Sequence, residues 1–310
     1  MSTLLLTHTA SSLNHKTSEG HPERPDRIRA MEKALSLDTF RPLLREEAPM
    51  GDLETVLLCH SQTYVDDIRD MAPKEGMVYI DGDTMMSPGT WEAAMRGVGG
   101  ANAGVDAVVS GKAQNVFVGT RPCGHHAEIS RAMGFCIFNQ AAIAARYAQK
   151  KHGVGRVAVV DFDVHHGNGS QDIFWADPTV MYASTHQMPL FPGTGAVQER
   201  GEHDTIVNAP LAPGDAGAKF RQAFEGMILP QLKKFAPELI IISAGFDAHW
   251  RDPLASIKLD EKDFGWATRQ LMDVADASAN GRIVSVLEGG YDLQGLHDSV
   301  VEHVTALMGH

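Results

Sequence analysis

Three observations predict an α/β fold in which one mainly parallel sheet is flanked by helices. Short uncharged runs rich in β-branched residues recur along the 310 residues, at Asn115–Val118, Val157–Val160, Leu239–Ile242 and Ile283–Leu287, as strands buried on both faces require. Apolar residues at helical spacing fill the intervals, so strands and helices alternate. Each run also stops near glycines and polar residues. That places any chemistry at the carboxyl ends of the strands, where open parallel sheets gather their ligands.

Taken in order, Leu4-Leu5-Leu6 reads as an early strand and His8 to Lys16 as a polar loop. Gly20 to Arg27 is too proline-rich for regular structure, although Glu23 and Arg27 suit a loop-ordering ion pair; Ile28, Met31 and Leu35 then mark a helical face. Gly51 to Tyr64 reads as a short strand and a helix, Asp81 to Ser87 as a polar connection, and Trp91 to Ser110 as a tightly packed helix rich in Ala and Gly. The strand at Asn115–Val118 delivers Arg121-Pro122-Cys123-Gly124-His125-His126 into a loop. Paired histidines suit proton transfer because imidazole titrates near neutrality, and they suit a structural hydrogen-bonded pair equally well. Gly134 to Asn139 then enters a helix over Gln140–Lys150.

The central stretch is Val160-Asp161-Phe162-Asp163-Val164-His165-His166-Gly167-Asn168-Gly169. Strand alternation predicts Asp161, Asp163 and His165 on one side, with Phe162 and Val164 on the other. Neighbouring buried carboxylates repel unless a cation or hydrogen-bond donors compensate, and a divalent metal does both. Oxygen and nitrogen donors without thiolate suit zinc, with iron or manganese as alternatives, and fewer than four protein ligands leave room for water.

Beyond it, a helix over Gln171–Trp175, a strand over Val180–His186 and a loop from Met188 to Gly195 carrying Phe191 are expected. A helix over Ala218–Phe235 precedes the strand that ends at Asp247, a credible third metal ligand. A helix over Asp260–Ala277 leads to the last strand and to Glu288-Gly289-Gly290-Tyr291.

A hydrophobic content of 43% lets the chain bury a large core, and no linker, repeat or low-complexity tract divides it. Residues 1–310 are expected to form a single domain. The N-terminus has no basic start with a long apolar segment and no run approaches a membrane span, so a soluble cytoplasmic protein without a membrane partner is expected. A formal charge of −12 disfavours direct nucleic-acid binding, which needs a basic footprint. Nothing in the sequence specifies an oligomeric state. The cysteines, Cys59, Cys123 and Cys136, are odd in number and have no Cys-x-x-Cys spacing. They are expected to be small buried residues, not a disulfide framework or thiolate metal site.

The ordered set Arg121-Pro122-x-Gly124-His125-His126, Asp161-x-Asp163-x-His165-His166-Gly167-x-Gly169, Ser243-Ala244-Gly245-Phe246-Asp247 and Glu288-Gly289-Gly290-Tyr291 resembles the zinc-dependent histone deacetylase family, within the arginase-deacetylase fold. The likeness runs from about His21 to Tyr291. Asn168 and the Glu-Gly-Gly-Tyr form resemble class II members and their bacterial relatives, the histone deacetylase-like and acetylpolyamine amidohydrolases. Arginases use Asp-x-His-x-Asp, whereas this chain has Asp-x-Asp-x-His, which disfavours a two-manganese ureohydrolase.

The resemblance implies that Asp163, His165 and Asp247 hold one zinc ion. It makes His126 the general base, His125 an electrostatic partner oriented by Asp161, Asn168 the partner of His126, and Tyr291 the donor to the oxyanion. It further implies a structural potassium ion at Asp161, Ser184 and Thr185, and substrate contacts from Gly134, Phe135, Phe191, Leu254 and Gly289. Two aromatic walls can grip a methylene chain. Leu254 matches a rim position that is leucine in class II protein deacetylases and glutamate in an animal polyamine deacetylase. The expected substrate is therefore acetyl-lysine in peptides or proteins, with acetylated polyamines as the alternative and a non-catalytic acyl-binding module as a third reading.

Overall fold

The computed structural model describes residues 2–309. In chain order the strands are β1 (Thr3–Thr7), β2 (Leu44–Glu47), β3 (Val78–Tyr79), β4 (Met85–Met86), β5 (Asn115–Gly119), β6 (Val157–Asp161), β7 (Val180–Gln187), β8 (Ile206–Leu211), β9 (Leu239–Ala244) and β10 (Ile283–Leu287). The α-helices are α1 (Thr9–Asn14), α2 (Asp26–Leu35), α3 (Leu53–Val56), α4 (Gln62–Met71), α5 (Thr90–Ser110), α6 (Gln140–His152), α7 (Asn168–Phe174), α8 (Gly217–Ala223), α9 (Leu229–Phe235), α10 (Glu261–Ser278) and α11 (Leu293–Leu307). A π-helical turn, Phe224–Ile228, joins α8 to α9.

Eight strands form one parallel sheet in the order β2-β1-β5-β10-β9-β6-β7-β8, as the apolar runs predicted, while β3 and β4 make a separate antiparallel ribbon. Strand alternation divides the core between the two faces. Ala158, Val160, Ile240 and Ile242 pack with α2, α10 and α11, and Val157, Val159, Ile241 and Val284 pack with α4, α5 and α6. The adjacent strands β5, β10, β9 and β6 end nearly in register, with Asp161 opposite Ser243 and Leu287 opposite Ala244. Their following loops, which carry the histidines, both carboxylate motifs and Tyr291, therefore leave one edge of the sheet together.

Local expectations change in several places. His8 to Lys16 is not all loop: α1 forms there, capped by His8 Nδ1, which accepts from Ser11 N at 3.2 Å. Gly51 to Tyr64 contains no strand. Asp52 and Ser61 cap the short α3 and the longer α4 instead, and the strand lies earlier, at β2. The Asp81–Ser87 connection contains β4. Strand β6 stops at Asp161, so Asp163 and His165 are set by a loop and not by pleat alternation, although Phe162 and Val164 do enter the core.

Candidate active site

Asp163, His165 and Asp247 converge where that loop meets the one after β9. His165 Nδ1 lies 3.1 Å from Asp163 Oδ1 and 3.0 Å from Asp247 Oδ2. Backbone donors aim both carboxylates: Gly289 N donates to Asp163 Oδ2 and Val164 N to Asp247 Oδ1, each at 2.8 Å. Gly289 has no room for a side chain, because a Cβ there would lie 2.2 Å from Asp247 Oδ2.

Three donor atoms within 4.8 Å of one another, two on carboxylates, form a buried set that calls for positive charge. Burial and the neighbouring Asp163 push Asp247 up to about 7. Burial opposes charge on His165 too, yet hydrogen bonds to Asp163 and Asp247 raise it to about 10. Two carboxylate oxygens and one imidazole nitrogen form a donor set that fits zinc.

Beside this set, His125 and His126 have rings 4.0 Å apart but opposite electrostatic surroundings. His125 Nδ1 donates to Asp161 Oδ2 at 2.9 Å; against burial, Asp161 and Asp163 hold this imidazole well above its usual range. His126 Nδ1 meets Asn168 Oδ1 at 2.8 Å, and Asn168 Nδ2 donates to Glu128 Oε1 at 2.7 Å. Burial, then the charges on His125 and His165, depress His126 well below its usual range. The surroundings of His125 favour its charged form and those of His126 its neutral form.

A pocket of about 230 Å³ leads to these groups, lined by Asp83, His126, Gly134, Phe135, His165, Leu190, Phe191, Leu254 and Tyr291. Phe135 stands edge-on to Tyr291 at 5.9 Å, and Phe191 edge-on to His126 at 5.1 Å. Phe191 is 41% exposed, so a substrate can cover it. Gly134 adopts φ +56°, and a Cβ there would lie 2.4 Å from the His126 ring. Gly289 does not line the pocket. Its contact is with Asp163.

Tyr291 is held from behind. Its backbone N donates to Asp252 Oδ2 at 2.7 Å, while Asp252 Oδ1 accepts from Leu254 N at 3.0 Å, so one carboxylate ties the tyrosine to the pocket rim. Arg27 lies 5.0 Å over the tyrosine ring and donates to the carbonyls of Gly290 and Glu288. The expected Glu23–Arg27 pair is present at 3.0 Å and extends to Arg121, whose Nη2 is 2.5 Å from Glu23 Oε2. Burial works against the Glu23 charge, but Arg121 and His15 hold its carboxyl well below the usual range.

Of the residues assigned to potassium, Asp161 and Ser184 are register partners on β6 and β7. Ser184 Oγ contacts His186 Nδ1 at 2.9 Å, and Thr185 Oγ1 is buried without a hydrogen-bond partner. Residue-by-residue reading missed Asp83, Asp252 and the carboxylate of Glu288, which accepts from Gly124 N and His125 N. In the sequence Glu288 stands out only as the first residue of the Glu288-Gly289-Gly290-Tyr291 motif, with no role attached to its carboxylate. The folded chain also brings together Cys123 and Cys136, which sequence spacing gave no reason to pair.

This sheet, with two histidines, a carboxylate–imidazole cluster and a tyrosine around one narrow pocket, defines a deacetylase-type hydrolase. The histone deacetylase domain family matches residues 21–307. Histone deacetylase 14, chloroplastic, of Arabidopsis thaliana is 35% identical over 325 residues, covering 98% of this chain and 77% of that protein. The histone deacetylase-like amidohydrolase of Pseudomonas aeruginosa is 38% identical over 278 residues, covering 88% and 73%. The crystal structure of the HDA15 HD domain superposes with a TM-score of 0.94 at 33% identity, covering all of this chain and 90% of that one. The chain belongs to the histone deacetylase family.

Proposed function

We propose that this deacetylase removes acetyl groups from the side-chain amine of acetyl-lysine in peptides or proteins, with zinc held by Asp163, His165 and Asp247. The observation that carries the substrate class is the pocket: Phe135, Phe191 and Leu254 form apolar walls that lead to His126, His165 and Tyr291. Such walls suit an uncharged methylene stem with a polar amide at its tip. Leu254 at the rim offers no charge to a distant ammonium.

Bound zinc supplies Lewis acidity toward the acetyl carbonyl and toward water. His126 takes the proton. Its Nδ1–H is committed to Asn168, so Nε2 carries the free lone pair that receives a proton from water and returns it to the departing amine. Cationic His125, fixed by Asp161, stabilises negative charge as it develops. The Tyr291 hydroxyl, in the same pocket, donates to the oxyanion. The proposal includes a structural potassium ion at Asp161, Ser184 and the Thr185 backbone carbonyl, where Asp161 and Ser184 stand opposite each other on β6 and β7.

A second reading has one observation in its favour. Asp83 lines the same pocket, and a carboxylate there can pair with the ammonium of an acetylated polyamine as well as accept a peptide N–H. Competing turnover of acetyl-lysine peptides and N-acetylated putrescine, cadaverine and spermidine separates the two. Higher kcat/KM for peptides supports the lysine assignment, and higher kcat/KM for the polyamines moves it to Asp83 and small amines.

A further inference from the structure

Two thiols that the proposed chemistry does not use lie behind the pocket wall. Cys123 Sγ and Cys136 Sγ are 3.3 Å apart, and both residues are buried and free. Each sulfur also contacts the Gly134 carbonyl, at 3.8 and 3.3 Å. Cys123 stands two residues before His125, and Cys136 directly follows Phe135. Cys59 packs elsewhere, in the core on the α5 and α6 face.

The surroundings make the two sulfurs unequal. Cys136 Sγ donates toward Cys123 Sγ, so Cys123 presents the accepting lone pair of the pair. Burial pushes the Cys136 thiol well up, which keeps its proton in place. Cys123 is therefore the attacking thiol and Cys136 the resolving one.

We propose that Cys123 and Cys136 form a modification site for hydroperoxides, which join them in an intramolecular disulfide that lowers turnover. With hydrogen peroxide, the Cys123 sulfur attacks one oxygen, the O–O bond breaks, and a sulfenic acid and one water form. The Cys136 sulfur then attacks the Cys123 sulfur; the S–S bond forms, the S–O bond breaks, and the departing hydroxide takes the Cys136 proton as a second water. Two thiols lose two electrons and two protons, and one peroxide is reduced to two waters.

A disulfide of about 2.05 Å draws the sulfurs together by more than ~1 Å. The intervening wall has little slack, since Gly134 and Phe135 both have positive φ and a Cβ on Gly134 would already meet the His126 ring. Misplacing a reacting group by about 1 Å can lower the rate roughly a hundredfold. The rate effect rests on the proposed role of His126, whereas disulfide formation does not.

The test treats the zinc-loaded full chain with hydrogen peroxide, alkylates without reduction and digests with trypsin. Cleavage after Arg131 puts Cys123 in residues 113–131 and Cys136 in residues 132–146, so the disulfide joins two peptides. The expected result is that joined species in the wild type and in Cys59→Ala, lost in Cys123→Ser and in Cys136→Ser. Turnover should fall at least about tenfold in step with it and recover with dithiothreitol. Absence of the joined peptide, or equal inactivation of a Cys123→Ser/Cys136→Ser double variant, overturns the proposal. A joined peptide in a protein inert toward every acetyl substrate before oxidation instead sinks the deacetylation reading and leaves the disulfide standing.

Discussion

His126 and Asn168 meet between Nδ1 and Oδ1 at 2.8 Å, and because Asn168 Nδ2 is committed to Glu128, the asparagine oxygen can only accept. Asn168→Asp places a negative charge at that contact, which favours the protonated imidazole and raises the His126 pKa. The acid limb of kcat/KM against pH should move upward, with a loss of rate at neutral pH that is regained at higher pH. A profile identical to wild type would contradict the role given to His126.

Tyr291→Phe removes one hydroxyl and leaves the Asp252 contact to its backbone intact. Loss of an oxyanion donor costs about 3 kcal/mol, so kcat should fall on the order of a hundredfold while KM changes little. Steady-state kinetics on an acetyl-lysine peptide reads both. A loss confined to KM would reassign Tyr291 to ground-state binding.

Metal binding should release protons. In the metal-free cluster the His165 pKa is raised to about 10 and that of Asp247 to about 7, so at neutral pH His165 is charged and Asp247 partly protonated. Both must lose protons to bind a cation, so affinity rises with pH and falls as pH drops through 7. Calorimetric titration with zinc in buffers of different ionisation enthalpy should show about one proton or more released per ion. A buffer-independent heat would contradict the ligand set.

Glu23 bridges two buried guanidiniums, and Glu23→Gln leaves their charge without a counter-ion. Removing one partner of a buried pair typically costs about 3–5 kcal/mol, measurable by denaturant unfolding. The folded-state pKa of Glu23 is depressed, so its stabilisation is present above the unfolded value of 4.5 and is lost as pH falls below it. The difference between wild type and variant should therefore narrow in acid, and a constant difference would argue against a charge effect.

The parts legible in the sequence share one property: their signal is local. Val157–Asp161 announces itself by β-branching, and Asp163, His165 and Asp247 by their place after apolar strands. Strand β2 was missed because Leu44–Glu47 is exposed throughout and shows no alternation, and β8 because Pro210 and flanking polar residues hide an otherwise strand-like run. Asp252, the Glu23–Arg121 contact and the Cys123–Cys136 pair arise when distant segments meet, which no spacing rule reports. Gly289 was legible as a residue of the site, and the folded chain adds that its N–H aims the Asp163 carboxylate.

We propose that one metal ion at Asp163, His165 and Asp247 supports hydrolysis of acetyl-lysine. The most direct measurement strips the protein with a chelator and follows acetyl-lysine peptide turnover as zinc is returned in sub-stoichiometric steps. Turnover should be absent without metal and rise linearly to a plateau at one zinc per chain. Turnover that survives full metal removal, or that starts only after a second equivalent, would contradict the account.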